Sequence, residues 1–111
     1  MTRRKLALIV GAGTLLFSSA GQAQVRPSWC GSQANINRAE AAICDNRFLW
    51  DLDFQLNQVY QAALRSSGPR ADQLRASQQQ WLRNQRNACG ADVNCLEAEY
   101  QNRIADFVER R

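Results

Sequence analysis

Apolar residues recur along this chain at spacings of three and four, with no sustained alternation of period two. That pattern predicts helices and no strands. The longest face comprises Phe48, Leu49, Leu52, Leu56, Val59, Tyr60 and Ala63, and predicts a helix from about Arg47 to Ser66, capped by Asp45 or Asn46. Ser67-Gly68-Pro69 ends it, since Gly suits the position after a helix and Pro the first turn of the next. A further helix is predicted from about Pro69 to Ala88, with Ala71, Leu74, Gln78, Trp81, Leu82, Gln85 and Ala88 on one face. Cys89 to Cys95 reads as a turn. The last helix, about Val93 to Val108, aligns Leu96, Tyr100, Ile104 and Phe107. Upstream, Asn37 followed by Glu40 has the form of a capping box for a short helix, Arg38 to Cys44.

The N-terminus follows a different pattern. Arg3, Arg4 and Lys5 precede an apolar run from Leu6 to Phe17, and small residues follow, with Gly21 and Ala23 at the −3 and −1 places of a cleavage site. The run is about 12 residues, short of the ~20 that span a membrane. Residues 1–23 are therefore expected to be a signal peptide and residues 24–111 a single helical domain, exported to the periplasm with no stable membrane insertion after cleavage. Cys30, in Arg-Pro-Ser-Trp-Cys, lacks the small-residue context of a lipid-anchor cysteine.

Cleavage changes the charge. Removing Arg3, Arg4 and Lys5 from the 14 Lys+Arg leaves 11 basic residues, all Arg, against 10 Asp+Glu. A net +1 has no basic surplus for nucleic acid or for an anionic membrane surface. Export also makes the four cysteines disulfide candidates. Of the three possible pairings, Cys30–Cys44 and Cys89–Cys95 are preferred because each closes a local loop. Zinc is not expected, because the chain has no His and Cys-x5-Cys is wider than the usual paired-ligand spacing. The expected fold is all-α, a small disulfide-stapled bundle of three longer helices plus the short N-terminal helix, and a monomer.

Catalytic chemistry has little material. Without His the usual nucleophile–base triads are missing, and no serine sits in a nucleophile-elbow or phosphate-loop pattern. Asp51/Asp53 and Glu97/Glu99 are two apart on helices, so neither pair points at one substrate atom. A binding protein without cofactor or metal is expected, not an enzyme. Gln78 and Gln85 interrupt an apolar stripe and read as structural amides bonded to a neighbouring helix. Asp53 is expected to pair with Arg103 or Arg86. Trp50 and Phe54 point away from the Leu49/Leu52/Leu56 face and form a second apolar patch, expected to be covered by the Trp29–Cys44 segment.

The ordered set of residues is more specific than any single motif. It comprises Cys30; Glu40-x-x-Ile43-Cys44; Leu49-x-x-Leu52-Asp53-x-x-Leu56-Asn57-x-x-Tyr60; Gln78-x-x-Trp81-Leu82; Arg86-Asn87-Ala88-Cys89-Gly90; Cys95-Leu96-x-x-x-Tyr100; and Arg103-Ile104. The set resembles the LprI-type lysozyme-inhibitor domain over about Cys30 to Phe107. The resemblance implies a helical fold, export, disulfides and inhibition of lysozyme or a related muramidase through a protein–protein contact. Muramidases cut glycan with two carboxylates in a cleft, so an inhibitor needs a plug bearing donors. Two loop ends could serve, Ser66 to Arg70 and Gly90 to Asn94. Asp92 in the second would repel a carboxylate. The expected contact is therefore Ser66, Ser67, Gly68 and Arg70. The rival reading is an envelope adaptor or structural module that grips another envelope protein through Trp50 and Phe54.

Overall fold

The structure, a computed structural model, describes residues 25–31 and 35–109. The predicted signal peptide lies outside the described residues. A single 3-10 turn, Ser28–Gly31, is followed by α1, Arg38–Cys44. The capping box is present: the Asn37 side chain accepts from the Glu40 N–H, and Glu40 Oε1 accepts from the Asn37 N–H at 3.0 Å. Next comes α2, Arg47–Arg65, capped by Asn46, whose Oδ1 accepts from the Leu49 N–H. A 3-10 turn, Gly68–Arg70, leads into α3, Ala71–Trp81. The last helix, α4, spans Val93–Glu109.

The predicted third helix follows a helical path, but its winding changes. After Trp81 the chain makes a π turn, Leu82–Arg86, closed by the Asn87 N–H on the Leu82 carbonyl, and then a 3-10 turn, Asn87–Cys89. A π turn adds one residue to the repeat. The position one turn after Trp81 is thus taken by Arg86, which is buried, while Gln85 and Ala88 are exposed. Their predicted place on the core face is corrected accordingly. Phe48 is also off the core at 49% exposure, because the buried stripe of α2 is centred on Leu49, Leu52 and Leu56, one residue around the helix.

Side-chain pairs fix the topology. Asp53 meets Tyr100 and Tyr60 meets Phe107, so α2 and α4 run parallel. Gln78 meets Arg103 and Trp81 meets Tyr100, so α3 is antiparallel to α4 and also to α2. The core between them contains Leu49, Leu52, Leu56, Leu74, Trp81, Leu96, Tyr100 and Phe107, and Ala39 and Ile43 of α1 close one end. Leu49, Leu96 and Tyr100 are fully buried.

Both expected disulfides are formed, Cys30–Cys44 and Cys89–Cys95. They sit at the same end, since α1 packs against the Asn87–Cys89 turn. Among the described residues no helix is long and apolar enough to cross a membrane.

Candidate functional site

At the end opposite the disulfides, α2 stops because its last carbonyls find local donors. The Ser66 N–H reaches the Ala62 and Ala63 carbonyls and the Ser67 N–H that of Leu64, the Ser66 hydroxyl donates to the Ala62 and Ala63 carbonyls at 3.3 and 3.2 Å, and the Ser67 hydroxyl donates to Ala63. Gly68 then takes φ +56°, a left-handed conformation that a side chain would strain. Pro69 starts the 3-10 turn, which the Arg70 N–H closes on the Ser67 carbonyl at 3.0 Å. The four predicted contact residues therefore form one tight corner.

Their chemistry differs from the sequence expectation in one respect. A hydroxyl has one proton to donate, and those of Ser66 and Ser67 are already committed to α2. Arg70 is exposed, and its guanidinium forms no ion pair among the described residues. Behind the corner lies an open groove of about 940 Å³, lined by Val59, Ala62, Ala63, Leu74, Ser77 and Phe107 among others. Nothing in the sequence pattern marked this groove, which forms only where the ends of three helices diverge.

The rival loop is built for structure. Gly90 has φ +58°, and Asp92 Oδ1 accepts from the Cys95 N–H at 3.1 Å, which caps α4. Its carboxylate thus completes a helix start beside a disulfide.

The buried polar groups form two webs. In the first, Arg86 Nη2 meets Glu40 Oε2 at 2.7 Å, Arg86 Nε donates to Asn87 at 3.0 Å, and the guanidinium lies 5.5 Å over the Trp29 ring. Tyr100 Oη donates to Asp53 Oδ1 at 2.9 Å. Burial raises the Asp53 carboxyl above its ordinary value, against the opposing pull of Tyr100, Arg86 and Trp29. Burial, followed by the Asp53 charge, pushes the Tyr100 phenol well above the usual range. In the second web, Arg103 donates to Gln78 Oε1 at 2.9 Å and to Ser77 Oγ at 3.1 Å, and stacks 4.8 Å from the Phe107 ring centre.

The expected Asp53–Arg103 pair is thus not formed, because Arg103 is bound one helix further round. Arg86 acts on Asp53 through its field, with its closest hydrogen bonds going to Glu40 and Asn87. Gln78 is the structural amide anticipated; Gln85 is not.

Trp50 and Phe54 are placed unequally. The Trp50 indole N–H donates to the Cys44 carbonyl at 3.1 Å and the ring is half-buried. Phe54 is 39% exposed. The N-terminal segment lies beside them along a shared groove and does not cover Phe54, which corrects the expectation that both are covered.

A family model described as lysozyme inhibitor LprI matches residues 30–107. No curated protein and no solved structure matches the chain.

Proposed function

The chain belongs to the LprI lysozyme-inhibitor family, and from that premise we propose that it is a periplasmic, monomeric inhibitor of lysozyme or a related muramidase. The Ser66–Arg70 corner is the plug. The observation that carries this reading is Arg70: an exposed guanidinium without a carboxylate partner among the described residues, on a corner held by Gly68, Pro69 and two serine caps. A guanidinium can fork onto a carboxylate, the group that does the chemistry in a muramidase cleft. The corner is already ordered, so little freedom is lost on binding. The groove behind Arg70 offers apolar walls to whatever borders the cleft.

The test is clearance of a bacterial suspension by lysozyme in the presence of purified protein. Arg70→Glu places like charges together and should weaken inhibition at least about 30-fold, the equivalent of losing ~2 kcal/mol from a buried interface charge pair. If wild type inhibits and Arg70→Glu inhibits equally, this corner is not the plug. If wild type fails against lysozymes of several types, the inhibitor reading itself falls.

A further inference from the structure

A second groove, of about 820 Å³, runs between the N-terminal segment, α2 and α3 and shares no residue with the first. Its volume lies in the range of small-ligand clefts. The charged side chains along its wall have partners within the protein: Glu40 pairs with Arg86, Asp53 accepts from the Tyr100 hydroxyl, and Arg26, itself exposed, donates through Nε to the Cys44 carbonyl at 3.2 Å. Its accessible surface is of another kind. Phe54 exposes its ring, Trp50 and Tyr60 are half-buried and also line the groove, and the amides of Asn57 on α2 and Gln79 on α3 are exposed. Phe54 and Asn57 are three apart and so neighbours on one helix face. The Trp50 ring is fixed by its bond to Cys44.

An aromatic platform flanked by neutral amides suits a ligand with an apolar face and a rim of hydroxyls. Sugar C–H groups are drawn to the negative face of an aromatic ring. Amides both donate and accept, as hydroxyls do. An extended peptide would find no open strand edge among the described residues to pair with. We infer that this groove binds an uncharged oligosaccharide, with Phe54 as the stacking surface and Asn57 and Gln79 bonding its hydroxyls.

This inference stands apart from the lysozyme reading, and so does its test. The purified, oxidised protein is titrated with cellotetraose, which carries hydroxyls alone, and with chitotetraose, which adds acetamido groups, while backbone amides are followed by NMR. The expected result is saturable shifts centred on Phe54, Asn57 and Gln79 with at least one of the two sugars. The preferred sugar then identifies the class. Phe54→Ala should weaken binding at least tenfold, about one step of 1.4 kcal/mol, with the melting temperature and lysozyme inhibition unchanged. No shifts from either sugar at about 10 mM, well above a millimolar Kd, would overturn the inference. So would binding that survives both Phe54→Ala and Asn57→Ala. Capture of an envelope protein that Phe54→Ala abolishes, without any sugar binding, would assign the patch to a protein partner instead.

Discussion

At one end of the bundle, α1, the turns after α3 and the start of α4 are joined by two disulfides, the Glu40–Arg86 ion pair and the Asp92 cap. At the other end, α2 turns into α3 beside the end of α4. There the ties are two serine hydroxyls on α2 carbonyls, the edge-on contact of Tyr60 with Phe107, and the bonds of Arg103 to Gln78 and Ser77. A chain this short has a limited core and needs staples, and this one places them all at the same end. The opposite end is left with a groove, a tight corner and, in Arg70, a guanidinium with no ion pair among the described residues. The disulfides are thus at one end, and the corner proposed as the plug is at the other.

The sharpest way to break this contrast is Arg86→Ala. The Arg86 side chain is only 6% exposed, and removing it leaves the Glu40 carboxylate without its ion-pair partner. The expected loss is about 3–5 kcal/mol in urea unfolding; a loss below about 1 kcal/mol would show that the stapled end is held by its disulfides alone. Replacing both Cys30 and Cys44 by Ser should follow, at about 3 kcal/mol. A disulfide stabilises by closing a loop in the unfolded chain, so the shorter Cys89–Cys95 loop should be worth less, about 2 kcal/mol. Equal losses from the two pairs would contradict loop closure as their mode of action.

Asp53, midway between the ends, gives a smaller and pH-dependent effect. Its carboxyl is raised in the folded state above the ordinary 3.8, so the folded protein holds that proton more tightly than the unfolded chain. Its contribution to stability is fully present below 3.8 and is lost as pH rises through the raised folded value. Asp53→Asn keeps an acceptor for the Tyr100 hydroxyl and does not ionise. Its stability advantage over wild type should therefore grow across that window and level off above it. A difference that is flat with pH in thermal melts would refute the assignment. Least of all should Arg70→Glu alter stability, by no more than about 0.5 kcal/mol, as for an exposed side chain that makes no cap hydrogen bond and lies outside the core. A larger loss would mean that the open end contributes to the fold after all.

Sequence spacing located the four helices of the described residues and both disulfides because those signals are local. Asn37 and Glu40 are three residues apart, and Cys89 and Cys95 six apart. The π turn was not legible. Leu82-Arg83-Asn84-Gln85-Arg86 has ordinary helical composition. The turn brings Arg86 inward to Glu40, 46 residues away, a partner that local spacing cannot indicate. The same limit explains Arg103. Its place at the edge of the α4 stripe could be read, but its choice of Gln78 over Asp53 depends on how α3 lies against α4. The Ser66–Arg70 corner was visible as a turn. That its hydroxyls face inward follows from the geometry of the α2 terminus.

The two oxygens of Glu40 have a consequence for how the chain reaches this state. One caps α1 and the other receives Arg86. A helix of seven residues is not stable alone in water. It persists once the distant guanidinium holds the carboxylate that also caps it, so local and long-range order arrive together. Cys44 is the last residue of that helix, and its sulfur is set opposite Cys30 only when the helix exists. Cys89 and Cys95 are only six residues apart, with the helix start between them capped locally by Asp92, so their ring closes without a distant partner. Oxidation should accordingly be ordered, with the small ring closing early and the N-terminal bridge closing last, as the seal on a bundle that has already assembled.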